Sequence, residues 1–335
     1  MIRKIGIDLG TTRIRIYVPK RSIVIDEPNV VALNVSNNQI MAVGEEAKSM
    51  LGRTPEAIVA SNPLSDGVIA SYKTTKKMLE IYINRILGRI RLFKPDIIVN
   101  FPVGATSTEK KAVLDAAESL GARRVYLIKA PIAAALGAGI DISTSIGNMI
   151  IDVGGGKTEV AVISLSDIVA HSSTRYGGKK FDTAIIDYIR KKYNLVIGEQ
   201  SAEQVKIKIG SAIAQKKDAR EEVSGSNIIT GLPESVIVHG SDITAAIKPV
   251  LNEIILAVKD VLQKTPPELS SDVMDKGIVI SGGGALLNNF DEMLTKVTGV
   301  PCQMAEDPER AVINGIGIAI DNFNEFVDSL IWKSS

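Results

Sequence analysis

The chain has 335 residues with 39 basic and 38 acidic side chains, a balance that leaves no global field to select nucleic acid or an acidic partner. Hydrophobic residues make up 45% of it and aromatics only 4%, so the core must be built from Ile, Val, Leu and Ala, and the length suffices for roughly two domains. One cysteine (Cys302) and two histidines (His171 and His239) argue against an internal disulfide and against a dedicated zinc or iron site. No apolar run approaches the ~20 residues that cross a bilayer, and Met1-Ile-Arg-Lys-Ile enters a strand at once, which leads to the expectation of a soluble cytoplasmic protein without a signal peptide.

Residues 1–35 read as strands. Within them, Ile5-Gly-Ile-Asp-Leu-Gly-Thr11 leads into the β-branched run Ile14–Val18, the pattern of a hairpin whose tip is nearly free of side chains. Such a tip lets successive backbone N–H groups approach an anion. Val43–Leu51 reads as a short helix. Thr74–Arg89 reads as a longer one, with Met78, Leu79, Tyr82, Ile83 and Ile86 on one face. Asp96–Asn100 is a buried strand. Thr106 and Glu109 then form a capping box for a helix that Gly121 closes. A strand at Val125–Ile128 and an Ala-rich helix from Pro131 to Ala138 complete the first half.

At Asn148 the pattern starts over. Ile150-Ile-Asp-Val-Gly-Gly-Gly156 leads into Val160–Ile163, a second Asp-led glycine hairpin. The tip Gly154-Gly-Gly-Lys-Thr158 is not a P-loop: the spacing requires Gly at position 151, which is Ile, and a strand-like run follows where a P-loop opens a helix. Residues 180–245 are richer in charge and read as a small inserted subdomain. A long helix from Ile243 to Lys264 stops at Pro266-Pro267, and Gly277–Ser281 is a strand running into Gly282-Gly-Gly284. Two α/β halves with a cleft between them, each led by an acid beside a glycine tip, point to a phosphate-bearing ligand.

Taken in order, Asp8-Leu-Gly-Thr11, Asp152-Val-Gly-Gly-Gly156 and Ser281-Gly-Gly-Gly-Ala285 match the two phosphate loops and the adenosine loop of the actin, sugar-kinase and heat-shock-chaperone ATPase superfamily. Val43–Lys48, Leu51–Pro55, Asp66–Ala70, Leu92–Pro95, Ala202–Lys206, Thr265–Leu269 and Ala305–Pro308 extend the match from about residue 4 to 320, and here the chain closely resembles the bacterial actin MreB family. The resemblance implies an actin-like ATPase fold of two duplicated α/β domains around a nucleotide cleft. Residues 1–145 would carry a small subdomain at about 32–65, with 315–335 packing back. Residues 146–314 would carry one at about 180–245. It further implies ATP or ADP binding with Mg²⁺, paired protofilaments of the chain itself, attachment to the inner face of the cytoplasmic membrane and a part in cell shape. Related actin-like paralogues are candidate partners, and nucleic acid is not. A sugar- or acetate-type kinase of the same fold is the alternative, although nothing in the sequence marks a second-substrate site.

Carried over residue by residue, the family's phosphate contacts fall on Thr11, Thr12 and Arg13 and on Gly154, Gly155, Gly156 and Lys157. The nucleoside contacts fall on Glu203, Gln204, Val205 and Lys206 and on Gly282, Gly283, Gly284 and Ala285. Asp8 and Asp152 would hold Mg²⁺, chiefly through water, since this ion keeps several waters and takes one or two carboxylates; they are otherwise turn residues. Arg13 departs from the family, and either faces phosphate or points to solvent. Lys208 stands where relatives carry an acid. Glu203 and Lys206 have the alternative of a plain surface ion pair.

The family's water-handling positions are the main departures. Ala130 replaces an acid that orients the attacking water, and Lys157 replaces a Thr. Alanine can neither orient nor deprotonate water, and lysine is a donor only, so hydrolysis is expected to be slow or absent unless another acid such as Glu159 substitutes. Such losses resemble the divergent MreB paralogues of wall-less helical bacteria. Leu92 and Phe93, among Arg85, Arg89, Arg91 and Lys94, match the family's membrane-inserting loop, or else form a helix end with its cations on the dipole. Phe323, Phe326, Val327, Leu330 and Ile331 fall at helical spacing and are expected to dock the tail on its own domain, with a second membrane or partner contact as the alternative.

Overall fold

The computed structural model describes residues 3–88, 94–327 and 330–332. Two main sheets carry the fold. The first orders its strands as Ile331–Trp332, Arg124–Lys129, Asp96–Phe101, Lys4–Leu9, Arg13–Val18 and Ser22–Pro28; the second as Asp167–Thr174, Thr158–Ser164, Asn148–Val153, Ile278–Ser281 and Cys302–Met304. Each is built the same way. An antiparallel hairpin is extended by a third antiparallel strand on one side, and on the other its first strand pairs in parallel with a strand that arrives after a long excursion. The excursions carry smaller sheets, one formed by Val31–Asn34, Ile40–Val43 and Ile58–Ser61, the other by Leu195–Val196, Arg220–Asn227 and Pro233–His239.

Alternation of burial explains why these segments are strands: Ile5 and Ile7 face one layer of the core while Ile98, Tyr126 and Ile128 face the layer between the sheets. That middle layer holds two helices, Ala130–Gly137 and Ala311–Asp321. They cross at near backbone contact, since a Cβ on Gly137 would lie 1.7 Å from the Ala311 carbonyl oxygen and one on Gly315 would lie 1.8 Å from that of Ala133. Any side chain there would force the helices, and with them the two sheets, apart.

The capping box is formed, with Glu109 N–H donating to Thr106 Oγ1 at 3.2 Å and Thr106 N–H to Glu109 Oε2 at 2.7 Å. The amphipathic helix spans Tyr72–Leu87 and buries Met78, Leu79, Tyr82 and Ile83. The long helix starts at Gly240, three residues before the expected Ile243, because His239 and Asp242 cap it. The tail differs from its helical expectation. Phe323–Phe326 makes a single helical turn, after which Ile331–Trp332 pairs antiparallel with Tyr126–Leu127. Strand Arg124–Lys129 would otherwise be an open edge, and this pairing covers it. Phe323 packs edge-on against Tyr126, with Lys4 Nζ 4.1 Å above its ring, so the tail does dock on the first sheet.

Candidate nucleotide site

Both glycine hairpins close in the same way. Gly10 N–H donates to the Arg13 carbonyl at 3.1 Å, and Gly154 N–H to the Lys157 carbonyl at 2.9 Å. The tips face each other across a cleft of about 470 Å³. A Cβ on Gly155 would lie 2.1 Å from Thr12 Cγ2, and one on Gly156 would lie 2.5 Å from Thr11 Oγ1. Thr11 Oγ1 accepts the Gly67 N–H at 2.8 Å, which fixes its rotamer. The Gly178–Tyr193 helix begins directly behind the second tip, where Gly178 and Lys179 donate their N–H groups to the carbonyls of Gly154 and Gly155 at 3.0 and 2.8 Å.

Asp8 and Asp152 both line the cleft, and both are ends of strands that run into these tips. Burial pushes the Asp8 carboxyl above its ordinary range, against the pull of Arg15, whose Nη1 is 3.5 Å away, and of an Asn100 amide donating at 2.9 Å. Asp152 is pushed up to about 7, first by burial and then by the Glu159 carboxylate, with a Ser281 hydroxyl donating at 3.0 Å on the other side. Two buried carboxylates in one cleft, only the first with a cation directly beside it, are an oxygen donor set that suits a hard divalent cation, so the residues fit Mg²⁺. Among the described residues no cluster of three or more His, Cys, Asp or Glu side chains forms a direct metal cage.

Ala130 lines the cleft at the first position of its helix and presents only a methyl group. Glu159, the candidate substitute acid, is 1% exposed: Oε1 accepts the Val103 N–H at 2.7 Å, and Oε2 lies 2.6 Å from Lys157 Nζ as an ion pair without an aligned hydrogen bond. The Lys157 stem lies against Gly67, which leaves no room there for a side chain. Arg13 lines the cleft and is one-third exposed, but its guanidinium is not free. It turns sideways onto Asp26 of the neighbouring strand, with Nε 2.7 Å from the carboxylate.

Of the residues expected at the nucleoside, Gly282, Gly283 and Gly284 line the cleft, and Gly282 N–H donates to the Pro308 carbonyl at 2.7 Å. Glu203 and Lys206 line it too, from the Glu199–Ile209 helix, but each is paired elsewhere: Glu203 with Lys48 at 3.5 Å across the cleft, Lys206 with Asp182 at 2.7 Å. Val205 and Ala285 are buried in the core of the second half, on the far side of their elements, and Gln204 is solvent-exposed; none of these three lines the cleft. Lys208 also stays away from it, pairing with Glu221 at the surface.

A family model described as MreB/Mbl protein matches residues 2–328. The chain belongs to the MreB/Mbl family. It is 43% identical to the cell shape-determining protein Mbl of Bacillus subtilis over 96% of this chain and 97% of that one. Against the cell shape-determining protein MreB of Haemophilus influenzae it is 47% identical, over 95% of this chain and 92% of the relative. Spiroplasma citri MreB5 bound to ADP superposes with a TM-score of 0.92 at 34% identity, covering 97% of this chain and 98% of that one. A chain of the MamK double helical filament, 18% identical and matched over 95% and 98%, shares the actin-like fold with a TM-score of 0.78.

Within this MreB/Mbl chain, the sequence reading missed Lys48, Glu309 and Arg15, all of which line the cleft. For Arg15 a signal existed: in a hairpin led by Asp8 it falls on the residue directly opposite that acid. Lys48 and Glu309 belong to segments that carried the resemblance or adjoin it, but only the closing of the chain shows which side chains turn inward. Leu92 and Phe93 lie outside the described residues.

Proposed function

We propose that the chain is an ATP- and ADP-binding actin-like filament subunit that works in cell shape at the inner face of the cytoplasmic membrane and hydrolyses ATP slowly if at all. The observation that carries the nucleotide part is the pair of glycine tips facing each other with Asp8 and Asp152 in one cleft. That Spiroplasma citri MreB5 is known bound to ADP and to AMPPNP supports it. In this reading the tips bind phosphate through backbone N–H groups, Gly282–Gly284 pass close to the nucleoside, and Asp8 and Asp152 hold Mg²⁺ through its waters. Mg²⁺, when bound, would neutralise phosphate charge and relieve the crowding of the two acids.

Slow hydrolysis follows from what the residues near the second tip can do. Ala130 cannot take a proton, and Glu159 spends one oxygen on the Val103 N–H and has the other buried beside an ammonium group. Filament formation does not need hydrolysis, because a ligand gripped by both halves closes the cleft by binding alone. Leu92 and Phe93 are proposed to reach the bilayer, aided by neighbouring cations.

The reading is tested by heat denaturation with and without Mg²⁺ and ADP or ATP. Ligand binding to the folded state alone should raise the melting temperature, and Asp8→Ala or Asp152→Ala should shrink the rise. A wild-type protein indifferent to nucleotide overturns the reading. Pelleting with ATP, with and without anionic liposomes, checks assembly and the membrane, and failure to sediment in either case removes the filament part.

A further inference from the structure

Asp26, on the edge strand Ser22–Pro28, is the meeting point of three guanidinium groups. Arg13 reaches its carboxylate through Nε at 2.7 Å and its backbone carbonyl through Nη2 at 2.8 Å, while Arg15 and Arg310 each bring Nε to 3.1 Å. The strand register aligns the central members in a row: Asp8 lies opposite Arg15, and Arg15 opposite Asp26, across three adjacent antiparallel strands. Asp8 and Arg15 are both buried, at 8% side-chain exposure. Arg15 Nε makes no aligned hydrogen bond, so its guanidinium is shared between two acids by charge rather than locked onto one. Asp26 therefore competes with Asp8 for Arg15. It also competes with any anion in the cleft for Arg13, which lines that cleft at the end of the first tip.

We propose that Arg15 and Asp26 are positioning residues that set how strongly nucleotide binding depends on a divalent cation; this rests on the reading of the cleft as a Mg²⁺–nucleotide site. Arg15 gives Asp8 a resident positive charge, which supplies part of what Mg²⁺ supplies and softens the repulsion between Asp8 and a polyphosphate. Asp26 works in the opposite sense. It draws on the Arg15 charge and holds the Arg13 guanidinium sideways, off the phosphate path. Removing the cation should make the site more dependent on Mg²⁺, and removing the competing acid should make it less so.

The test measures ADP dissociation constants by calorimetry for the full chain, once with excess Mg²⁺ and once with EDTA, and takes the ratio of the second to the first. Arg15→Leu should raise that ratio about tenfold, the lower end of what a neighbouring guanidinium does to the proton affinity of a carboxylate. Arg15→Lys, which keeps the charge, should stay near wild type, and the isosteric Asp26→Asn should lower the ratio. A purely structural role would weaken binding in both media and leave the ratio unmoved. An unmoved ratio, or one moved the same way by Arg15→Leu and Asp26→Asn, overturns the proposal. Should Arg15→Leu fail to fold, Asp26→Asn decides alone. Wild-type protein that binds no ADP in either medium overturns the underlying reading instead, and the proposal with it.

Discussion

The two hairpins share a backbone and differ in charge. In each, an aspartate is the penultimate residue of the first strand, a four-residue tip follows that strand, and the first N–H of the tip donates to the carbonyl of its last residue. By that alignment Arg13 and Lys157 are the same position, so the two tip cations fall at one place in a duplicated structure. What lies two residues further on separates them. Asp8 faces Arg15 across the strands, whereas Asp152 faces Glu159. The first acid thus has a cation beside it, and the spare Arg13 goes outward to Asp26. The second acid has another acid beside it, and Lys157 is drawn inward to neutralise that neighbour. Backbone geometry makes the anion site, and the cross-strand partner decides what the acid next to it can do.

The largest effect should come from undoing the inward turn of Lys157 where hydrolysis is concerned. Ala130→Glu with Lys157→Thr places a carboxylate in the cleft and releases the cation from Glu159. Restoring a positioned base should raise phosphate release by about 10²- to 10⁴-fold, with the pair exceeding the sum of the singles because both changes act on one water. Phosphate release at matched polymer mass measures it. Brisk turnover in the wild type would mean that another residue does the work.

A stability measurement breaks the comparison more directly. Lys157→Met leaves the Glu159 carboxylate buried and without its cation, which should cost about 3 kcal/mol. Adding Glu159→Gln should recover most of the loss, since the amide keeps an oxygen for the Val103 N–H. Arg13→Met, at the equivalent position, should cost under about 1 kcal/mol, because Arg13 is one-third exposed and Asp26 retains Arg15 and Arg310. Urea unfolding of the variants decides it, and equal losses at the two positions would erase the distinction.

The likeness between the hairpins was legible in the sequence because it rests on local chemistry: Asp, glycine, then a β-branched run, at fixed spacing. The glycine loop at Gly282 and the capping box at Thr106 were legible for the same reason. The charge partners were not. The sequence leaves Arg13 facing phosphate or solvent, because its acceptor, Asp26, is brought beside it only by the register of the third strand. Glu203 and Lys206 were read as a possible pair on one helix, yet one partner, Lys48, comes from the opposite side of the cleft. Val205 and Ala285 were carried over with their motifs, although helical and turn geometry sends their side chains into the core. Motif spacing identifies a site; the choice among ion-pair partners depends on distances that only the closed chain fixes.

The smallest predicted effect concerns acid. Burial works to raise the Asp26 carboxyl, but the Arg13 hydrogen bond, the charges of Arg15 and Arg13 and the Arg310 contact outweigh it and hold the group below its usual range. The folded state thus binds this proton more weakly than the unfolded chain does. Its contribution to stability is complete above the unfolded value of about 4 and is lost as pH falls through the lower folded value. Asp26→Asn abolishes that dependence, leaving three arginines around an amide at every pH. The gap in unfolding free energy between wild type and variant should be constant from pH 7 down to about 5, then close progressively below about 4. A smaller convergence is expected for Arg13→Met, where Asp26 still titrates between two remaining guanidinium groups and only part of its shift is removed. A gap that stays constant into acid would mean that the three arginines hold Asp26 by shape rather than by charge, and would leave the contrast between the two hairpins resting on Asp8 and Asp152 alone.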